Sequence, residues 1–174
     1  MRPSARRPLL VAALLSAACR PGADAARDSA RAVAPPVALK PANPDPATNT
    51  YAPALGVTLA KMNKRPSGLY VHDDTLGKGA AATNGQSVLV DYAGYLPDGT
   101  VFDSNRDRGR PFAFTLGQDE VIVGWDEGIQ GMRVGGARTL VVPPALGYGG
   151  ASQPGIPANS VLVFRVKLVG FGLR

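Results

Sequence analysis

The chain has 174 residues, 45% of them hydrophobic, enough for one domain of ordinary size with a core and an additional segment. Its net charge of +6 is unevenly placed, because residues 1–65 carry ten Lys or Arg against three Asp or Glu and residues 66–174 carry nine against ten. The part predicted to fold is therefore close to neutral, at −1, and this excludes a nucleic-acid-binding function.

The N-terminus has the three parts of an export signal. Arg2, Arg6 and Arg7 precede an apolar run at residues 9–15, which is followed by small residues. We interpret residues 1–18 as a signal peptide rather than a disordered basic tail, and the apolar run is too short for a mature membrane-spanning helix. The protein is therefore expected to be exported to the periplasm or cell envelope.

Cys19 is the only cysteine and directly follows the predicted signal peptide. Two outcomes stay open. In one, Cys19 becomes the acylated first residue of a bacterial lipoprotein, and two or more acyl chains hold the protein on a membrane. In the other, ordinary signal peptidase cleaves after Ala25 and releases a free periplasmic form. A lipid anchor at Cys19 is the only membrane association that the sequence predicts.

Two short stretches precede the predicted domain. Residues 19–53 are rich in Ala and Pro and predict a disordered tether, because prolines interrupt any helix and little apolar surface can be buried. Residues 54–65 form a short N-terminal extension, predicted to contain one or two helical turns. Neither stretch has the heptad pattern of a dimerising helix, so we expect a monomer.

Residues 66–174 have the alternation of β-strands and only one convincing helical pattern. The predicted strands are 69–73, 87–95, 100–104, one that begins at Phe112, 137–142 and 161–170. The predicted helix runs from Ile122 to about Met132, with Trp125 and Ile129 on its apolar face. We therefore predict an α+β fold in which a five- to six-stranded antiparallel sheet wraps around one short helix.

The most informative segment is 88–114, VLVDYAGYLPDGTVFDSNRDRGRPFAF, which places one carboxylate, Asp103, among aromatic residues. No metal-ligand cluster, phosphate-binding loop or nucleophile–base pair accompanies it in the sequence. Such a site can bind and desolvate an apolar group, but it is poorly equipped to break a bond. We predict neither a metal nor a cofactor.

This segment, together with LGQDEVIVGWDEGIQGM at 116–132 and the ALGYGG and PGIPANSVLVF runs within 145–164, closely resembles the FKBP family of peptidyl-prolyl cis/trans isomerases. The resemblance covers about residues 66–172, in the family's order and spacing. It implies an FKBP-like fold and an isomerase (rotamase) domain at 66–174. It also implies that the protein binds proline-containing polypeptides and the macrolide inhibitors of the family.

The resemblance further implies roles for individual residues. Trp125 is expected to form the floor of a proline pocket, and the alternative is a buried core tryptophan. Asp103 is expected at the pocket rim, assisted by Tyr92 and held by Arg108, and the alternative is a carboxylate that caps a turn. Tyr148 is expected to donate its hydroxyl to a substrate carbonyl. The remaining substrate-binding positions are Phe102, Phe112, Ile156 and Phe164, with Val121 and Ile122 contributing backbone groups.

Two functions from different classes are compatible with these residues. The leading hypothesis is an enzyme, a peptidyl-prolyl cis/trans isomerase that accelerates rotation of X-Pro bonds and assists the folding of exported proteins in the bacterial cell envelope. The alternative is a non-catalytic module that binds proline peptides and has lost turnover.

Overall fold

The computed structural model describes residues 42–172. The predicted signal peptide at 1–18, Cys19 and residues 20–41 of the predicted tether lie outside the described residues.

Within 42–172, seven strands and one α-helix form the domain. The helix, α1, spans Val123–Ile129, and the strands are β1 Asn63–Lys64, β2 Tyr70–Thr75, β3 Ser87–Tyr95, β4 Val101–Ser104, β5 Phe112–Thr115, β6 Ala137–Val142 and β7 Leu162–Phe171. All pairs are antiparallel, in the order β1-β2-β6-β7-β3-β4, with β5 also paired to β3. The predicted α+β fold is confirmed.

Strands β4 and β5 share one position in the sheet. β5 pairs with residues 87–90 of β3 and β4 pairs with residues 93–95, so both lie along the same side of β3. The loop that joins β4 to β5 leaves the sheet beside residues 91–92 of β3, which pair with neither strand, and we call this place the gap between β4 and β5. The seven strands therefore occupy six positions, in agreement with the upper limit of the predicted strand number.

The main core lies between the inner face of the sheet and α1. Alternation in β7 places Leu162, Phe164, Val166 and Leu168 in this core. The helix is shorter than the predicted 122–132, because Gln130 leaves helical geometry with a ψ of 131° and Gly131 has a φ of 78°. Met132 nevertheless remains buried just beyond the end of the helix.

The outer face of the sheet is covered by residues 42–62, which we call the N-terminal segment. It contains three short 3-10 turns, Pro46–Thr48, Pro53–Leu55 and Leu59–Lys61. Leu55 packs in a second apolar cluster with Val141 and Val163, residues whose side chains lie on the outer face. The prediction of disorder is therefore corrected for residues 42–53, because an apolar outer face requires a cover.

The backbone of the N-terminal segment is also bonded to the domain. The Ala52 N–H donates to the Pro97 carbonyl over 2.8 Å, and the Leu55 carbonyl accepts from the Arg165 Nη2 over 2.9 Å. In the part of the chain from 42 to 172, no helix is long and apolar enough to cross a membrane.

Candidate functional site

Five aromatic side chains on the inner face surround the start of α1, and we call them the ring site. They are Tyr92, Phe102, Phe112, Trp125 and Phe164. The Trp125 ring lies 5.0 Å from the ring of Tyr92, 5.3 Å from that of Phe164 and 6.2 Å from that of Phe112, each in edge-to-face geometry. Phe102 joins through Phe164, with ring centroids 5.5 Å apart. The structure thus brings Trp125, the predicted floor of the pocket, together with four other predicted site residues.

Trp125 is 4% exposed, whereas Phe112 is 39% exposed at the edge of the ring site. Among the described residues, the indole Nε1 is the single buried side-chain nitrogen or oxygen without a hydrogen-bond partner. A buried unpaired donor is costly and rare in native proteins. The ring site therefore has an apolar interior and one buried donor that has no partner among the described residues.

Asp103 lies next to the ring site, at the centre of a hydrogen-bond network. Its Oδ2 accepts from the Tyr92 hydroxyl, and its Oδ1 accepts from the Arg108 Nη2 over 2.6 Å and from the Ser104 N–H over 2.9 Å. The side chains of Asp103 and Arg108 are 40% and 59% exposed, so this ion pair lies in solvent. The predicted grouping of Asp103, Tyr92 and Arg108 is present. The bond to Ser104 also gives Asp103 part of the turn-capping role that was the alternative.

Two tyrosines near Asp103 remain protonated over the physiological range. Burial and the hydrogen bond to Asp103 raise the pKa of Tyr92 to about 12 from its ordinary 10.0. Burial, followed by the charge of Asp103, also raises the pKa of Tyr148. Tyr148 is 38% exposed, so its neutral hydroxyl is accessible as a donor.

Val121 and Ile122 precede α1 and pack against the core cluster that contains Trp125. The Ile122 carbonyl is occupied, since it accepts from the N–H groups of Trp125 at 2.8 Å and Asp126 at 3.3 Å. No backbone bond is described for the Ile122 N–H within 42–172. That N–H is therefore the backbone group that a bound peptide can use as a strand partner.

Ile156 lies in a tight turn after the 3-10 turn Pro144–Leu146, and Gln153 and Ile156 exchange two backbone bonds of 3.0 and 2.9 Å. Ile156 is 4% exposed and belongs to the core cluster that contains Trp125 and Phe164. The turn lies against the ring site, because a Cβ on Gly155 would be 3.9 Å from the Phe102 Cβ.

Comparison with known proteins identifies the family. A family model described as FKBP-type peptidyl-prolyl cis-trans isomerase matches residues 78–169, more than half of the chain. The chain belongs to this family.

Several known proteins are similar to this FKBP-type chain. FK506-binding protein 4 of Aspergillus fumigatus is 54% identical over 106 residues, covering 61% of this chain and 22% of the relative. Among solved structures, AtFKBP13 is 42% identical with a TM-score of 0.59, covering 64% of this chain and 98% of AtFKBP13. FkpA from Escherichia coli is 43% identical with a TM-score of 0.59, and the match covers 64% of this chain and 51% of FkpA. The chain spans about a quarter of the length of the curated fungal relatives that it matches.

Sequence reasoning missed two residues that shape the FKBP-type site. Asn105 fills the gap between β4 and β5: its Oδ1 accepts from the Tyr92 N–H at 2.7 Å and its Nδ2 donates to the Val90 carbonyl at 2.9 Å. Gly94 makes room for the rings, because a Cβ there would lie 2.6 Å from the Phe102 Cζ and 2.9 Å from the Phe164 Cε1. A buried Asn in a polar loop has no periodic signal, whereas Gly94 inside a predicted strand is itself a sign of close approach.

The chemistry available to these residues is non-covalent. Hydrophobic rings can desolvate a proline and the amide before it, while the hydroxyl of Tyr148 and the N–H of Ile122 can donate to carbonyls on either side. Among residues 42–172, no three His, Cys, Asp or Glu side chains are placed to hold a metal ion.

Proposed function

We propose that the protein is a peptidyl-prolyl cis/trans isomerase that accelerates rotation about X-Pro bonds. The observation that carries the proposal is the ring site around Trp125, with Asp103 and the hydroxyls of Tyr92 and Tyr148 beside it. Membership of the FKBP-type family supports the same conclusion.

The reaction requires no bond to be broken. Rotation loses amide resonance, with a barrier of roughly 18–20 kcal/mol, and without a catalyst it takes about 10–100 s. A catalyst must bind the twisted amide more tightly than the planar amide, by about 1.4 kcal/mol for each tenfold of rate. The twisted amide is less dipolar, so transfer into the ring site costs it less than the planar amide.

Polar groups add to this preference by fixing the peptide. The Ile122 N–H and the Tyr148 hydroxyl hold carbonyls, and the Asp103 charge at the edge of the ring site favours the rotated amide near the carbonyl that precedes proline. Arg108 holds Asp103 in place. Phe112, exposed at the edge, is the ring next to which a proline enters, since Trp125 itself is buried.

The experiment is a protease-coupled assay on a short X-Pro peptide. Tyr148→Phe and Asp103→Val are expected to lower kcat/KM, whereas Tyr95→Phe, which makes the same change on the outer face, leaves it unchanged. No acceleration by the unmodified chain, together with a Trp125 fluorescence change on adding peptide, would identify the alternative, a non-catalytic binding module. FK506, the ligand in the names of the fungal relatives, is expected to inhibit the reaction.

We further propose that the protein acts as a monomer on exported polypeptides in a bacterial cell envelope, where it assists folding. The basic residues, apolar run and small residues of 1–18 support export, and the place of Cys19 supports a lipoprotein. The proposed domains are a signal peptide at 1–18, a tether that ends before residue 42, and an isomerase domain that includes the N-terminal segment. Mass spectrometry of the mature N-terminus distinguishes an acylated Cys19 from cleavage after Ala25.

A further inference from the structure

A cleft of about 610 Å³ lies on the outer face of the sheet. Its floor consists of outward-facing residues of β6 and β7, and one wall is the N-terminal segment from Leu55 to Met62. Phe164 of the ring site faces inward from β7, whereas the cleft uses outward-facing residues of that strand, so the two sites lie on opposite faces of the sheet. The wall precedes residue 78, where the match to the family model begins.

The cleft has an excess of positive charge. Four cations from three parts of the chain line it: Lys61, Arg106, Arg165 and Lys167. Asp74 is the single carboxylate in the lining, and it is already engaged, because its Oδ2 accepts from the Thr139 hydroxyl at 2.7 Å and its Oδ1 lies 4.0 Å from the His72 Nε2. Asp91 is opposite Lys167 on β3 but does not line the cleft.

Arg165 is held in a fixed orientation at the base of the cleft. Its Nη2 donates to the backbone carbonyls of Leu55 at 2.9 Å and Ala54 at 3.2 Å, and the side chain is half-buried. A guanidinium fixed in this way loses little further freedom when its other N–H groups bind a ligand. The ammonium groups of Lys61 and Lys167 are exposed, and no ion pair is described for either within 42–172.

We propose that this cleft binds an anionic ligand that carries phosphate groups. Converging cations with few counter-charges create a positive potential that favours a multiply charged anion. An orientated Arg next to flexible Lys residues suits phosphate oxygens. The cleft volume lies within the roughly 300–1,000 Å³ typical of small-ligand sites. The ligand is either a soluble phosphate compound or a phospholipid headgroup, which share this chemistry.

The first test is a titration of the full chain with inorganic pyrophosphate, followed by amide NMR. We expect saturable shifts at Thr139, Lys167 and Lys61, with a Kd of about 1 mM or lower. Lys167→Glu is expected to weaken binding at least tenfold. Lys78→Glu, which changes the net charge equally but lies outside the cleft, is expected to leave binding within about twofold.

A second arm identifies the source of the phosphate. The full chain is sedimented with vesicles of phosphatidylglycerol and, separately, of phosphatidylcholine. Selective binding to phosphatidylglycerol that Lys167→Glu removes and pyrophosphate inhibits indicates a lipid headgroup, whereas pyrophosphate binding without it indicates a soluble ligand. Shifts that do not saturate, or equal weakening by Lys78→Glu and Lys167→Glu, would overturn the proposal.

Discussion

Replacement of Asn105 by Ala tests how the gap between β4 and β5 is closed. The side chain is 4% exposed and takes the place of a partner strand beside β3. In Asn105→Ala, the N–H of the buried Tyr92 loses its partner, whereas the Val90 carbonyl loses one bond while Val90 stays paired with Phe112 of β5. The third bond, from Nδ2 to the Arg110 carbonyl, is long at 3.3 Å and involves an exposed residue, so its loss adds little.

The expected loss follows mainly from the Tyr92 N–H. An unsatisfied buried backbone group costs about 1–3 kcal/mol, so the free energy of unfolding should fall by about 2 kcal/mol. With a urea slope of about 2 kcal/mol/M, the midpoint moves down by about 1 M. Urea unfolding is followed by the fluorescence of Trp125, the only tryptophan.

Asp107→Ala is the matched control, because it truncates a side chain of the same loop that is exposed and for which no hydrogen bond is described. It is expected to change stability by less than about 0.5 kcal/mol. If Asn105→Ala and Asp107→Ala unfold at the same urea concentration, the idea that Asn105 replaces a strand is refuted.

Three further predictions concern the site and its cover. Gly94→Ala should lower kcat/KM at least tenfold, because its Cβ displaces the Phe102 ring; an unchanged rate in the protease-coupled assay contradicts this. Burial raises the pKa of Tyr92 to about 12, so the stability that its neutral form contributes below pH 10.0 should be lost as pH rises towards 12. In Tyr92→Phe, the melting temperature should therefore fall less steeply over this pH range. An equal fall in both proteins would contradict this prediction. Arg165→Met should speed hydrogen exchange in the N-terminal segment around Leu55, and unchanged exchange rates would show that the bonds to Arg165 are not needed.

Strands could be predicted from sequence where one periodicity dominates. The predicted bounds 87–95 and 137–142 are those of β3 and β6, because their apolar residues alternate in and out of one core. The helix was predicted too long since Met132 continues the apolar spacing after the backbone has left helical geometry at Gln130. The spacing of apolar residues indicates which side chains are buried. A side chain such as Met132 can be buried after the helix has ended.

The ordered part of the predicted tether could not be found from its own composition. Residues 42–53 are polar and rich in proline, and their order depends on outer-face residues such as Val163, far away in the sequence. The ring site was predicted because its aromatic residues lie in motifs with fixed spacing. Asn105 was missed, since its role comes from a gap in strand pairing that no local pattern reports.

The covering of the outer face by residues 42–62 has a geometric consequence for access to the rings. Residues 51–62 pack on the back of the sheet, whereas the rings around Trp125 lie on the front. A client chain can therefore approach the rings without meeting this part of the N-terminal segment.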